Sequence, residues 1–296
     1  MTDAALLLFA LFAAEPSEPT EVLRDRLERE VREIASRVDG VLGVTILDPS
    51  SGDRISVRGN MVFTQASAIK LPILVELMRQ VEGGEQRLDE VVTLAASDIV
   101  PGSGVLQQLT PGKVSLSLRD VATLMVTVSD NTATNMIIDR VGMAKVDAEM
   151  ARLGLSSTKL QRKMQDRTAW EENRENLSTP DEQARLLELL YKGEILSPES
   201  RQEIDRILSI PKPGQLRTLL PEGTKVAHKT GTLSGVVVDV GIVYLEDRPF
   251  IVSAMGNWLA DAGEAERAIS EIALAAYRYF DRIAHSNAYG HKQSAR

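Results

Sequence analysis

The stretch Phe63-Thr64-Gln65-Ala66-Ser67-Ala68-Ile69-Lys70-Leu71-Pro72-Ile73-Leu74 turns from a loop into an apolar helix. In a helix, Ser67 and Lys70 stand one turn apart on the same face. A serine hydroxyl is a poor nucleophile at neutral pH and needs a base to take its proton. A lysine whose ammonium form is disfavoured by burial or by a second cation is such a base. The helix N-terminus also aims backbone N–H groups at negative charge developing near Ser67. A second serine–lysine pair with the same spacing, Ser156 and Lys159, shows that the spacing alone does not select the site.

Working outward, the N-terminal side predicts a helix, with Leu23, Leu27, Val31, Ile34 and Val38 on one face and Arg and Glu on the other. Val41 to Leu47 and Arg54 to Arg58 read as two strands joined by the turn at Asp48–Asp53. From Gly59 the pattern becomes helical. It predicts helices over Ala66 to Val81, Leu118 to Val128 with Ser117 as its cap, Thr132 to Val141, Asp181 to Tyr191 and Ser197 to Leu208. The last third returns to strands at Thr224 to Thr230, Gly235 to Leu245 and Phe250 to Met255, and closes with a helix over Glu264 to Ile283. Strands at both ends and helices between predict an α/β (α+β) fold, in which an antiparallel sheet built from both chain ends carries flanking helices and an inserted all-helical lobe. The expected division is 1–19 as a leader, 20–58 with 206–285 as the α/β lobe, 59–205 as the helical lobe, and 286–296 as a polar tail.

Composition narrows the function classes. Hydrophobic residues at 43% and charged residues at 26% fit a soluble globular chain. A net charge of -8 argues against a nucleic-acid partner, which wants a basic face. Without cysteine there is no thiolate nucleophile, disulfide or Cys-based zinc site. The three histidines (His228, His285 and His291) offer no metal cluster, so neither a metal nor a cofactor is expected. The apolar run Ala4–Ala14 is too short to span a bilayer and has the length of a signal-peptide core, although Asp3 stands where a basic flank is usual. Export to the periplasm or the cell exterior is the expectation, with no transmembrane span and a monomeric chain.

An acyl-transfer site needs more than a nucleophile and a base. The leaving nitrogen must receive a proton, the oxyanion must be stabilised, and the substrate must be held. Ser129-Asp130-Asn131 falls between two predicted helices. There Ser129 can relay a proton, Asn131 can hold Lys70 and a substrate carbonyl, and Asp130 suits a buried capping or bridging role. Lys229-Thr230-Gly231 lies late in a predicted strand. Lys229 supplies positive charge, Thr230 a hydroxyl for a substrate carboxylate, and Gly231 room for close approach. The N–H groups of Ser67 and Thr232 are the expected oxyanion donors. His228 reads as a packed strand residue.

Taken together, Ser67-x-x-Lys70, Ser129-Asp130-Asn131 and Lys229-Thr230-Gly231 resemble the signature of the class A β-lactamases and penicillin-binding proteins, in the family's order and with similar spacings. That order rejects the pair Ser156 and Lys159. The resemblance runs from about Thr20 to Ile283 and implies a β-lactamase/transpeptidase-like fold. It also implies a serine hydrolase working through a Ser67 acyl-enzyme on amide bonds of a small-molecule or peptide substrate, a β-lactam or a D-alanyl peptide. In class A enzymes a loop glutamate activates the water that frees the enzyme. Aligning Arg162 with the arginine that opens this loop puts Met164 in the glutamate's place, Thr168 in place of an asparagine, and Asn176 where the arginine's aspartate partner sits. Asp166, Glu171, Glu172 and Glu175 remain as other acids of the loop. The basic residue that often grips the substrate carboxylate is replaced in its region by Asp239. Acylation survives these changes, whereas fast deacylation is not expected. The alternatives are a D-alanyl-D-alanine carboxypeptidase or esterase, and a non-catalytic penicillin-binding sensor module.

Overall fold

The computed structural model describes residues 18–292 except 247 and 288. The apolar run 4–14 lies outside the described residues. Helix α1 (Glu18–Ser36) leads into strands β1 (Val41–Leu47), β2 (Arg54–Val57) and the short β3 (Phe63–Thr64). Helix α2 (Lys70–Glu82), strands β4 (Val91–Thr93) and β5 (Ser115–Ser117), and helices α3 (Leu118–Thr127), α4 (Asn131–Val141) and α5 (Met143–Arg152) follow. The chain continues through α6 (Arg167–Glu171), β6 (Leu177–Ser178), α7 (Pro180–Lys192), α8 (Pro198–Ser209) and α9 (Gln215–Thr218). It ends with β7 (Lys225–Leu233), β8 (Val236–Tyr244), β9 (Phe250–Asn257) and α10 (Ala262–Ala284).

The main sheet has five antiparallel strands in the order β2-β1-β9-β8-β7, so it joins both chain ends as the strand-like runs at each end predict. Its two faces bury two separate apolar clusters. On one face Val44, Val237, Val252 and Ala254 pack with Leu27 and Val31 of α1 and with Ile269 and Ile272 of α10. On the other, Val238, Val240, Ile251 and Met255 pack with the helices, among them Ile73, Leu74 and Leu77 of α2 and Ile137 of α4. Each valine, leucine, isoleucine or methionine side chain so buried contributes about 1.5–3 kcal/mol. Near-continuous burial along β8 and β9 follows from covering both faces.

Two local departures from the periodicity have physical causes. The expected helix from Ala66 begins instead as a 3₁₀ turn, Ala66–Ile69, and becomes α-helical only at Lys70. Pro72 falls at the third residue of α2, where a helix's N–H groups have no internal partner, so its missing donor is tolerated. Helix α5 was not expected, because its exposed charges dilute the apolar signal: of its side chains only Val146, Glu149 and Met150 are buried. Ser117 caps α3 by accepting from the Asp120 N–H at 3.1 Å. Replacing the fully buried Ile272 by alanine should lower the unfolding free energy by about 2–5 kcal/mol in urea denaturation, without changing the site on the opposite face.

Candidate active site

The segment before Ser67 is tied down on both sides. β3 pairs with β6, Phe63 opposite Ser178 and Thr64 opposite Leu177. The Gln65 N–H donates to Asn176 O at 2.9 Å, and its side chain donates to Leu177 O and accepts from Gln183. These anchors hold Ala66 at φ 44°, a left-handed conformation that an alanine rarely adopts and that costs of order 1–3 kcal/mol. The turn presents Ser67 half-buried at the cleft and sends Lys70 wholly inward.

Lys70 Nζ donates to Ser129 O at 2.6 Å, Ser129 Oγ at 2.9 Å and Asn131 Oδ1 at 3.3 Å. From the other side, Lys229 Nζ donates to Ser129 Oγ at 3.2 Å and to Thr230 O at 2.7 Å. Ser129 is also left-handed, at φ 53°, which turns its hydroxyl between the two lysines. Asp130 does what a short acid at a helix junction can do. One oxygen caps α4 through Ala133 N at 2.9 Å, and the other accepts from Val105 N and Leu106 N, pinning the loop before them. Asn131 bridges from Lys70 to Pro101 O.

Two buried ammonium groups around one hydroxyl cannot both stay fully charged. Burial, and then the Lys229 charge, hold Lys70 well below the usual lysine range, with Asp130 opposing. Burial, and then Lys212, lower Lys229 to about 7, with Asp239 opposing. Gly231 lies against the nucleophile's turn: a Cβ there would meet Ser67 N and Gln65 O at 2.8 Å each. Thr230 is half-buried and faces Asp239 across the strand pair, while Thr232 is exposed and lines the cleft. The structure therefore gathers Ser67, Lys70, Ser129, Asn131, Lys229, Thr230, Gly231 and Thr232 into one place. Ser156 is exposed in the turn after α5, and the Lys159 backbone pairs with Leu177.

The loop from Gln161 to Asn176 closes the cleft's other wall. Arg162 pairs with Glu175 at 2.9 and 3.1 Å, so the arginine's acidic partner is the residue before Asn176. Asn176 holds the loop's neck instead: its Oδ1 accepts from Gln161 N and Arg162 N, and its Nδ2 donates to Arg162 O. Met164 is buried and lines the same cleft as Ser67, its backbone clamped at both N–H and C=O by the Asn135 side chain. Asp166 caps α6 through Ala169 N, Glu171 pairs with Arg167, and Glu172 with Arg174. Of the loop's acids, only Glu175 lines the cleft with Ser67, and Arg162 holds it. The sequence reading missed Lys212, the pairing of His228 with Asp239, and Gln165, which lines the cleft from a left-handed backbone. A Pro-Lys-Pro-Gly run at 211–214 was the available signal for Lys212.

A Gly231→Val variant should react at Ser67 with a serine-directed acylating probe at least about 100-fold more slowly, since both obstructing atoms are backbone and a misplaced reacting centre costs that order. Circular dichroism should show an intact fold.

Comparison with known proteins agrees with this geometry. A model of the "Beta-lactamase enzyme family" matches residues 26–280. Beta-lactamase VEB-1 of Pseudomonas aeruginosa is 23% identical over 276 residues, covering 86% of this chain and 91% of its own. The crystal structure of a beta-lactamase from Sphaerobacter thermophilus superposes with a TM-score of 0.80 at 34% identity, covering 86% of this chain and 97% of that one. The structure of PBP-A does so with a TM-score of 0.79 at 32% identity, covering 86% and 96%. With this sheet and helical lobe, and with a match that spans nearly the whole described chain, the protein belongs to the beta-lactamase enzyme family as a serine hydrolase of the class A kind.

Proposed function

We propose that the chain acylates Ser67 with β-lactams or D-alanyl peptides and releases the acyl group slowly. The observation that carries this reading is the hydroxyl of Ser129, which accepts from Lys70 Nζ at 2.9 Å and from Lys229 Nζ at 3.2 Å. A hydroxyl has two acceptor sites and one proton. With both acceptor sites taken by lysines, its proton points away from them, toward the cleft.

Acylation then follows from the residues in place. Neutral Lys70 keeps two N–H donors and frees a lone pair, which takes the Ser67 proton as Oγ attacks the substrate carbonyl carbon. The resulting oxyanion is received by the N–H groups of Ser67 and Thr232. As the C–N bond breaks, Ser129 gives its proton to the leaving nitrogen and is resupplied by the proton that Lys70 took. Lys229, Thr230 and Asn131 hold the substrate, the first two through its carboxylate, and Gly231 lets its backbone close on the strand. Hydrolysis of the ester needs a second base for water. The buried thioether of Met164 provides none, and Glu175 is neutralised by Arg162. A glutamate-for-leucine mutant of PBP-A, which is 31% identical to this chain, is described as an acyl-enzyme complex with penicillin G, and that precedent supports an acylated serine in this cleft. The competing reading is a non-catalytic penicillin-binding sensor.

Incubation with benzylpenicillin should give a single adduct of the intact drug mass, mapped by peptide mass spectrometry to Ser67, that outlives many equivalents of free drug. No adduct at Ser67 rejects the mechanism, and rapid turnover without accumulation rejects the role given to Met164. In a Met164→Glu variant the same adduct should decay about 100-fold faster, the lower range for a positioned general base. Turnover of a D-alanyl peptide by the unmodified chain separates enzyme from sensor.

The acylation rate should also fall as pH rises through about 7. There Lys229 loses the charge that faces the carboxylate. Burial and the Lys229 charge hold Lys70 below its usual range, so its role as a base does not weaken as pH rises. A stopped-flow profile from pH 5 to 9 measures this; a rate still climbing toward pH 9 would contradict it.

A further inference from the structure

The serine–lysine spacing that the site rejects, Ser156-Ser157-Thr158-Lys159, has a place behind the nucleophile. The Lys159 backbone pairs with Leu177 of β6, and β6 pairs with β3, which leads into Ser67. Thr158 is buried, as are Ser178, Gln65 and Gln183, and the four side chains form one hydrogen-bonded chain. Gln183 Nε2 donates to Gln65 Oε1 at 2.7 Å and to Ser178 Oγ at 3.3 Å. Ser178 and Thr158 share a hydrogen bond at 2.8 Å, and Thr158 Oγ1 donates to Glu182 Oε2 at 2.7 Å. The other Glu182 oxygen accepts from Ser157 N at 2.9 Å.

The direction of this chain is forced from its far end. A carboxylate only accepts, so the single Thr158 hydroxyl proton goes to Glu182. Ser178 must then give its proton to Thr158, and its oxygen is left to accept from Gln183. That turns the Gln183 amide nitrogen toward Ser178 and Gln65, and the Gln65 amide nitrogen toward Leu177 O, 2.7 Å away. The cost falls on Gln183 Oε1, which is buried with no hydrogen-bond partner among the described residues. For stability alone an apolar side chain would serve as well here, because a buried amide with an unpaired oxygen gains little over a hydrocarbon.

At the near end, Gln65 fills the gap between the loop's neck and β7. Its N–H donates to Asn176 O, and its carbonyl accepts from Ala68 N at 2.9 Å across the left-handed Ala66. The same carbonyl oxygen and Ser67 N each lie 2.8 Å from the point where a Cβ on Gly231 would stand. A shift of Gln65 therefore carries the Ser67 N–H toward or away from β7. We propose that Gln183, which does not line the cleft, is a positioning residue for acylation: through the Gln65 side chain it fixes the Ser67 N–H against β7.

The test replaces Gln183 and Gln65 by methionine, singly and together, since methionine keeps the length of the side chain without its amide. Stopped-flow mixing with benzylpenicillin separates the first-order acylation constant from the dissociation constant of the preceding complex. Hydrogen exchange reads the backbone amides at positions 65 and 68, and urea denaturation reads stability. Gln183→Met should lower the acylation constant about tenfold, the upper range for one lost hydrogen bond, with the dissociation constant unchanged. The two amides should exchange faster by a similar factor, while the urea midpoint stays or rises. Gln65→Met should lower acylation alike, and the double variant should lose no more than the worse single one. A urea midpoint that falls while acylation and exchange stay unchanged overturns the proposal, as do losses that multiply in the double variant. Should Gln183→Met fail to fold, Gln65→Met decides alone: slower acylation with faster exchange at position 68 supports the proposal, and unmoved values reject it. The kinetic arm rests on the acylation proposed above, but the exchange arm does not. Absent acylation in the unmodified chain would reject that reading. Faster exchange in Gln183→Met at an unmoved urea midpoint would still support this one, and unchanged exchange would reject it.

Discussion

Two lysines buried around one serine hydroxyl are the constraint from which the rest of the site follows. Removing an ammonium from water costs several kcal/mol, so such groups persist only with dense hydrogen bonding, partial neutralisation, or both. Lys70 and Lys229 have each. Their donors are spent on Ser129, Asn131 and backbone carbonyls, and each is lowered from its usual range by burial first. The same geometry demands that Ser129 be left-handed and that Asp130 be buried beside it, where its two oxygens tie α4 to the loop at Val105 and Leu106. Strain at Ala66 and Ser129 is held in place by these anchors. It lies at the two residues where the chain delivers the hydroxyls of Ser67 and Ser129 to the cleft.

In the proposed reaction, acylation and deacylation draw on different parts of the fold. The first uses α2, the α3–α4 junction and β7, which meet on one face of the sheet. The second would depend on the loop from Gln161 to Asn176, which is closed here by Arg162 with Glu175 and by the Asn176 amide. That loop is as firmly built as the rest: Asn135 clamps Met164 by its backbone, Asp166 caps α6 within the loop, and Thr179 caps α7 just after it. A methionine can occupy the wall without disturbing the nucleophile. On the reading proposed above, what this wall does not supply is a base to activate water.

Much of this was legible in the residues. The β-rich runs of β7, β8 and β9 at one end of the chain and the strand pair β1–β2 at the other, with helices between, predicted a sheet made from both chain ends, and the order of the three motifs selected Ser67 and Lys70 over Ser156 and Lys159. What stayed hidden depended on distances between segments far apart in sequence. Asp239 reads as a charge in a valine-rich strand until His228 and Leu216 are seen to hold it. Glu175 reads as one solvated acid among several until Arg162 is seen on it. Lys212 lies in a Pro-Lys-Pro-Gly run without periodicity, which marks a stiff loop but not the burial of its lysine. The charged surface of α5 concealed that helix, since only three of its side chains face the core.

The proposed reaction turns on Lys70 being held well below the ordinary lysine range, so that it can take the Ser67 proton. The most direct measurement is the ¹³Cε chemical shift of Lys70 in selectively labelled protein across the neutral range, with Lys70→Arg to assign the signal. The expected result is a titration midpoint well below the ordinary 10.5, and a Lys70 that titrates near 10.5 would contradict the proposal.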